Sequence, residues 1–227
     1  SHELRTPLTS IRAYSEILSE FTADESPEAR NEFLRVISGE SERLTRLVDD
    51  LLDLARMESG VEHWEPELVD LRRVLELCLV CLGGLTIEKL VTFTLHAERS
   101  HVVEGNADRL QQAFTNVLAN AWRFSPAGAD IEVTLTGQGP RCTVLVRDRG
   151  PGVAEDLRER VFDRFMRDNR GTDPGDGSST GLGLSITREI VARHRGRIWC
   201  ENHPDGGAVF AIDLPRATAV GASLDDR

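Results

Sequence analysis

The spacing of apolar residues in the first quarter of the chain predicts two amphipathic helices. In the first segment the apolar residues recur at intervals of three and four, at Leu4, Leu8, Ile11, Leu18 and Phe21. A polar break covers 22–25, and Ser26-Pro27 is typical of an N-cap followed by proline at the first helical position. A second apolar seam then runs as far as Gly60, through Phe33, Leu34, Ile37, Leu44, Leu47, Val48, Leu51, Leu52 and Ala55. The first region, residues 1–62, is therefore predicted to be an antiparallel helical hairpin.

A hairpin of two helices cannot bury both apolar seams by itself. We therefore expect it to pair with a second copy of itself in a four-helix bundle, which makes the protein a homodimer. The alternative is a monomer in which the hairpin packs on the C-terminal domain.

Strand and helix patterns alternate after a polar connection at 62–66. Helices are predicted at about 71–82, 107–124, 155–165 and 181–194, the first of them ended by Gly83-Gly84 and the second capped by Asn106. Strands are predicted at 91–95, 102–103, 131–135, 142–146, 197–200 and 208–214. A loop at 168–180, rich in Gly, Asp and Ser, is expected to be mobile, and residues 216–227 are expected to form a disordered tail. The second domain is thus predicted to span 66–215.

Composition excludes several classes of partner. The chain has 27 Lys and Arg against 38 Asp and Glu, a net charge of −11, which makes it a poor candidate for binding nucleic acid or an anionic membrane. Irregularly spaced cysteines indicate a reducing, cytoplasmic compartment, and Cys78-Leu-Val-Cys81 is predicted to hold buried structural thiols rather than a metal. No apolar run is long enough to span a bilayer. The chain opens inside a helical motif without a cap, so we expect a fragment, and a tether to the inner membrane through an upstream segment stays open.

The start of the chain places a nucleophile, a carboxylate and a hydroxyl within one helical turn. His2 and Thr6 are four residues apart and share a helix face, and Glu3 flanks them. A neutral imidazole is a competent nucleophile near pH 7, and a neighbouring carboxylate can hold its other proton. Pro7 inside a helix costs about 3 kcal/mol and bends it. The alternative is an ordinary surface helix that happens to begin with a histidine.

Three further stretches carry candidate binding chemistry. Asn116 and Asn120 are four residues apart on one predicted helix, and Arg123 follows nearly one turn later. Amide oxygens are suitable ligands for Mg²⁺, and an arginine can neutralise phosphates. In 148–152 an acid follows a strand and precedes a Gly-Pro-Gly turn, where a carboxylate could accept a purine amino proton. In 180–185 small residues open a helix whose free N–H groups could meet an anion. Each taken alone is equally compatible with surface residues or an ordinary turn.

The order and spacing of these stretches resemble the transmitter core of bacterial sensor histidine kinases, over about residues 1–215. Residues 2–7 are similar to the H box of that family, 116–124 to its N box, 148–152 to its first glycine box, 161–165 to its F box and 181–184 to its second glycine box. Arg123 stands where lysine is common and Phe124 where tyrosine is common, while Trp122 is bulky for its place.

The resemblance implies a dimerisation and histidine phosphoacceptor domain followed by an ATP-binding α/β sandwich with a mixed sheet, of the Bergerat type. It implies that His2 takes a phosphoryl group from ATP with Mg²⁺ and passes it to an aspartate in the receiver domain of a separate response regulator. It also implies dephosphorylation of that regulator, with Thr6 positioning water.

The resemblance further assigns roles by position. Glu3 would act as general base, Asn120 would ligate Mg²⁺, and Asp148 would bind adenine. The remaining nucleotide contacts would come from Asn116, Arg123, Phe124, Gly150, Gly152, Arg167, Thr180, Gly181, Leu182, Gly183 and Leu184. Two alternatives stay open: a transmitter that acts mainly as a phosphatase, and a non-catalytic dimerisation module controlled by nucleotide.

Overall fold

The computed structural model describes residues 2–20, 26–59, 64–84, 89–166 and 180–217, and for His2 and Glu3 it describes the backbone alone. The predicted break at 22–25, the loop at 168–179 and residues 218–227 lie outside the described residues. Within the described segments, no helix has both the length and the apolar character needed to cross a bilayer.

The N-terminal region is a helical hairpin, as predicted. Helix α1 spans His2–Glu20, with Pro7 inside it, and helix α2 spans Pro27–Glu58. The cap prediction is confirmed, because the Ser26 side chain accepts hydrogen bonds from the Glu28 and Ala29 amides. The rings of Tyr14 and Phe33, 5.4 Å apart, join the two helices.

The C-terminal region combines a mixed sheet with α-helices. Its elements are β1 (Glu67–Asp70), α3 (Leu71–Cys81), β2 (Thr92–His96), β3 (Val102–Gly105), α4 (Ala107–Phe124), β4 (Asp130–Gln138), β5 (Arg141–Arg147), α5 (Gly183–Arg193), β6 (Arg197–Asn202) and β7 (Ala208–Pro215). The main sheet has the order β2-β4-β5-β7-β6, in which β2 and β4 are parallel and the other neighbours are antiparallel. Strands β1 and β3 form a separate antiparallel pair.

The core lies between the helices and one face of the main sheet. Strand β4 alternates buried and partly exposed residues, so that Ile131, Val133 and Leu135 face inward, as the period of two predicts. Helix α4 buries one stripe against them, including Phe114 and Leu118, which are fully buried. The predicted α/β sandwich with a mixed sheet is confirmed.

Some local predictions are wrong. Residues 67–70 form strand β1, because they pair with β3, although the sequence suggested only a lead into α3. The predicted helix at 155–165 is instead two 3₁₀ turns, Glu155–Leu157 and Arg160–Phe162, which hold Phe162 in the core. Phe165 then adopts a left-handed conformation with φ 61°, which no regular helix permits.

Two other expectations need correction. Cys78 is buried as predicted, but Cys81 is exposed, since it lies on the outer face of α3. Order also extends past the predicted boundary at 215, because the amides of Arg216 and Ala217 donate to the carbonyls of Pro140 and Val102.

The second half of α2 packs against α5 of the C-terminal domain. The buried interface, called here the interdomain cluster, joins apolar residues of both domains: Leu47, Leu54, Met57, Ala113, Leu182, Ile186 and Ile190, with Leu4, Leu51 and Trp64 at its margin. An ion pair adds to it, since Asp53 accepts from the Arg109 guanidinium at 2.9 Å and from the Gln112 amide at 2.9 Å.

Trp64 anchors the connection between the domains. Its ring lies 5.1 Å from the ring of His194 and 5.1 Å from the guanidinium of Arg193. His194 is buried, bonds to the Ile190 carbonyl through Nδ1 and accepts the Asn106 amide at Nε2. Burial lowers the pKa of this imidazole, which favours its neutral form.

Replacing Ser26 tests the cap of α2. Ser26→Ala should lower the free energy of unfolding of the hairpin by about 1 kcal/mol, because two amides lose their acceptor. Ser41→Ala is the matched control: its hydroxyl only donates to the Ile37 carbonyl within the same helix, so its effect should stay below about 0.5 kcal/mol. Urea unfolding followed by circular dichroism distinguishes them, and equal losses would contradict the capping role.

Candidate active site

A cavity of about 480 Å³ lies where α4, the start of α5, the loop after β5 and helix α2 meet. It collects residues from widely separated parts of the chain: Arg46, Asp49, Asp50, Asn116, Ala119, Asn120, Trp122, Arg123, Phe124, Asp148, Pro151, Gly152, Val153, Val161, Met166, Thr180, Gly181, Gly183, Leu184, Ala208 and Phe210. Most of the predicted nucleotide contacts line this one cavity.

Asp148, immediately after β5, is a buried polar group of the cavity. Its side chain is buried, and its Oδ1 accepts the amides of Gly150 at 2.8 Å and Ala208 at 2.9 Å. Burial raises the pKa of this carboxyl, and the two amides oppose that shift because they favour the charged form. One carboxylate oxygen is thus fixed by backbone donors, which orients the other.

The turn after Asp148 needs glycine for close approach. Gly152 has φ +73°, and a Cβ there would lie 2.9 Å from Asn202 Oδ1. A Cβ at Gly150 would lie 2.8 Å from the Phe124 carbonyl oxygen. Gly150 therefore does not line the cavity; it lets the turn pack against the end of α4.

Helix α4 supplies the predicted amides. Asn116 donates to the Gly183 carbonyl at 3.0 Å, which joins α4 to the start of α5, and Asn120 lines the cavity one turn later. Arg123 also lines it, with its guanidinium 5.4 Å from the Phe124 ring. Over the described part of the chain, no group of three or more His, Cys, Asp or Glu side chains is arranged to hold a metal.

Lys89 was not anticipated from the sequence. Its Nζ donates to the carbonyls of Trp122 at 3.1 Å and Arg123 at 2.8 Å, and it lies 5.4 Å from the centre of the Trp122 ring. Lys89 therefore supplies hydrogen-bond donors to carbonyls at the C-terminal end of α4, which have no helical partners. Its positive charge also lies at the negative end of the helix dipole. No short-range pattern could have revealed this contact across 33 residues.

The start of α5 forms the opposite wall. Thr180 Oγ1 accepts the amide of Leu182, the residue immediately before α5, at 3.2 Å. Gly181 has φ +73°, and a Cβ there would meet Phe165 Cα at 3.0 Å. Leu182 points away into the interdomain cluster, whereas Gly183 and Leu184 face the cavity.

The remaining predicted residues either fall outside the described part of the chain or do not line the cavity. Arg167 is outside the described residues, as are the side chains of His2 and Glu3. Thr6 is exposed on α1 and does not line the cavity. Leu4 packs at the margin of the interdomain cluster.

Helix α2 contributes a wall that the sequence did not predict. Arg46, Asp49 and Asp50 line the cavity from the helical domain, and Thr180 Oγ1 donates to Asp50 Oδ2 at 2.7 Å. Burial raises the pKa of Asp50, although the bond from Thr180 opposes the shift. The periodicity of α2 marks its apolar face but does not indicate which domain its polar residues will meet.

The cavity suits an adenine nucleotide. One end, called here the adenine end, offers the buried Asp148 carboxylate between apolar walls at Val153, Val161 and Phe210. The other, called here the phosphate end, has Thr180, Gly181 and Gly183 at the first turn of α5, where unpaired helical amides favour anions. Pockets of this kind combine apolar walls with a few placed polar groups.

Comparison with known proteins agrees with this geometry. The family described as histidine kinase-, DNA gyrase B-, and HSP90-like ATPase matches residues 105–218, and the His Kinase A (phospho-acceptor) domain matches residues 1–60. The chain is 34% identical over 218 residues to the sensor histidine kinase WalK of Bacillus subtilis, covering 95% of this chain and 35% of WalK. It therefore spans about a third of that relative.

Two solved structures share the fold over nearly the whole chain. Full-length ShkA in complex with AMPPNP is 26% identical with a TM-score of 0.70, covering 97% of this chain and 45% of ShkA. The histidine kinase ThkA in complex with the response regulator TrrA is 24% identical with a TM-score of 0.76. The match covers 95% of this chain and 59% of the ThkA chain.

Alanine substitutions at two adjacent glycines, Gly206 and Gly207, test whether Asp148 takes part in nucleotide binding. At Gly207, with φ +85°, a Cβ would lie 2.1 Å from the Asp148 carbonyl oxygen, whereas at Gly206, with φ +92°, nothing lies within 4 Å. Both alanine variants carry a backbone cost of about 1–2 kcal/mol. Gly207→Ala alone should shift Asp148 and weaken adenine nucleotide binding more than about tenfold.

The measurement is titration with a fluorescent adenine nucleotide. Gly206→Ala should bind it within about twofold of the parent chain, since its strain is not transmitted to Asp148. Equal weakening by both variants would contradict a specific role for the Gly207 contact.

Proposed function

Because this chain belongs to the family of histidine kinase-, DNA gyrase B- and HSP90-like ATPases and carries a His Kinase A phospho-acceptor domain, we propose that it is the kinase core of a two-component system. In this proposal it transfers the terminal phosphoryl group of ATP to His2. The observation that carries the proposal is the single cavity that joins Asp148, Asn116, Asn120, Arg123 and the start of α5.

The proposed binding mode follows from the two ends of the cavity. Asp148 accepts the exocyclic amino group of adenine, because its Oδ1 is already bonded to two amides and its other oxygen is oriented by them. The first turn of α5 and Arg123 face the phosphates, whose charge they stabilise. Asn120 would offer a hard amide oxygen to Mg²⁺, a cation that requires few protein ligands.

The proposed chemistry is an in-line phosphoryl transfer. A ring nitrogen of His2 attacks the terminal phosphorus of ATP, a nitrogen–phosphorus bond forms, and the bond from phosphorus to the bridging oxygen breaks, leaving ADP. Glu3 takes the proton that the imidazole loses. Transfer of this kind depends mainly on positioning and charge stabilisation, which Arg123 and the start of α5 supply.

We propose a response regulator as the acceptor of the phosphoryl group. ThkA, which shares this fold, is described in complex with the regulator TrrA. By analogy, phosphohistidine at residue 2 would transfer its phosphoryl group to an aspartate of a separate regulator, and the imidazole would be regenerated.

We also propose that the helical hairpin forms a homodimer. It exposes large apolar side chains on both helices, namely Leu8, Ile17, Leu34, Val48 and Leu52. Leu34 and Val48 are two heptads apart and Leu52 follows one turn later, so they share a face of α2, while the interdomain cluster occupies another. A face of this kind is stabilised by a second copy.

Loss of the phosphorylated residue tests the kinase proposal. His2→Gln should abolish labelling from γ-labelled ATP, because it removes the nucleophilic nitrogen, yet leave nucleotide affinity within about twofold. The label on the parent chain should be acid-labile and base-stable. His96→Gln, at an exposed histidine of β2, is the control and should label normally. Labelling that survives His2→Gln would overturn the proposal.

A charge on the exposed face of α2 tests the dimer. Leu52→Glu should weaken dimerisation more than about a hundredfold, because both copies would bury an unpaired carboxylate. Val80→Glu, an equally drastic change at an exposed residue of α3, should leave the dimer intact. Sedimentation equilibrium measures both. A parent chain that is monomeric, or a Leu52→Glu variant that dimerises normally, would contradict the proposed interface.

A further inference from the structure

Among the described residues, three acids on α2 make polar contacts with side chains of the C-terminal domain, and they are not partnered alike. Asp53 meets the Arg109 guanidinium at 2.9 Å, and Glu58 pairs with Arg164. Asp50, between Leu47 and Leu54 of the interdomain cluster, meets the hydroxyl of Thr180 instead. Asp53 and Glu58 therefore hold α2 against the C-terminal domain, an arrangement called here docking, through ion pairs with arginines. Asp50 instead places a carboxylate in the lining of the cavity.

The surroundings of these acids have opposite effects on their ionisation. Burial would raise the pKa of Asp53, but the bonds from Arg109 and Gln112 outweigh it, and the pKa is lowered. Burial raises the pKa of Asp50, with its neighbours Asp53 and Asp49 adding to the shift and Thr180 and Arg46 opposing it. The carboxylate of Asp50 is thus the less well compensated charge in the docked arrangement.

The position of Asp50 relates it to the phosphate end. The Thr180 hydroxyl that donates to Asp50 also accepts the amide of Leu182, immediately before the first turn of α5. Asp49 and Asp50 both line the cavity, and Asp50 does so beside Thr180, whereas the Asp148 carboxylate at the adenine end is held by the C-terminal domain alone. An anion near this helix start is stabilised by its dipole, and a second anion beside it is repelled.

Resting on the proposed function, we propose that Asp50 is a gate for the terminal phosphate: while α2 is docked, its carboxylate occupies the phosphate end and selects against ATP relative to ADP. The two nucleotides share the adenine contacts and differ by one charged phosphate. Repulsion falls with distance, so the additional phosphate carries most of the penalty.

This arrangement gives the two domains an order of events. Binding of ATP and docking of α2 oppose each other, so ATP favours release of the C-terminal domain from its own α2. After phosphoryl transfer the remaining ADP no longer opposes docking, and the interdomain cluster can form again. Asp50 thus links the state of the nucleotide to the relative position of the domains.

Neutralising this one carboxylate tests the proposal. Asp50→Asn keeps the shape of the side chain and an acceptor for Thr180, so the fold should persist. Affinity for AMPPNP with Mg²⁺, measured by isothermal titration calorimetry, should rise about tenfold, which corresponds to about 1.4 kcal/mol, whereas affinity for ADP should change less than about twofold. Glu32→Gln is the matched control, since it removes the same formal charge from an exposed position in the first half of α2.

The outcomes separate this proposal from the one on which it rests. A parent chain that binds neither AMPPNP nor ADP would overturn both. A parent chain that binds nucleotide and labels His2, together with an Asp50→Asn variant that behaves like Glu32→Gln or gains equally for both nucleotides, would overturn the gate alone.

Hydrogen exchange supplies an independent measurement of docking. By reciprocity of linkage, AMPPNP should increase amide exchange in residues 47–57 of α2 relative to ADP in the parent chain. In Asp50→Asn this difference should vanish. Protection of the same segment by AMPPNP in the parent chain would overturn the gate, because it would mean that the terminal phosphate strengthens docking.

Discussion

The apolar contact between α2 and α5 decides where the polar groups that α2 contributes to the cavity can act. Leu54 and Met57 pack with Ile186 and Ile190, and burying side chains of this size is worth about 1.5–3 kcal/mol each. Because α2 is rigid, that contact also fixes its neighbouring acids against the cavity. Polar contacts between the domains are thus a consequence of apolar packing and need not be strong themselves.

The two ends of the cavity differ in how they are built. At the adenine end, Asp148 is held by backbone amides of its own domain, and Gly207 leaves room for its carbonyl. At the phosphate end, the Thr180 hydroxyl accepts the Leu182 amide of its own domain and donates to Asp50 of the helical domain. In the proposed binding mode, the contacts to the base are therefore independent of domain position, whereas the surroundings of the phosphates depend on it.

Local rules explain which features the sequence predicted well. Caps at Ser26 and Asn106, the alternation in β4 and the inward stripe of α4 all depend on neighbours within a few residues. Strand β1 was missed because its pairing with β3 is a tertiary contact. The wall formed by Asp50 was missed for the same reason, since periodicity reveals an apolar face but not the surface that it meets.

Asp53 forms an ion pair with Arg109 and a hydrogen bond with Gln112, and these contacts limit the exchange of domains between related proteins. These partners come from opposite sides of the connection between the domains, as do Asp50 and Thr180. In a chimera joined between residues 59 and 64, the two domains would come from different proteins. The acids of α2 would then face partners of the C-terminal domain with which they are not matched. The unit that can be exchanged between related proteins is therefore the C-terminal domain together with the face of α2 that it contacts.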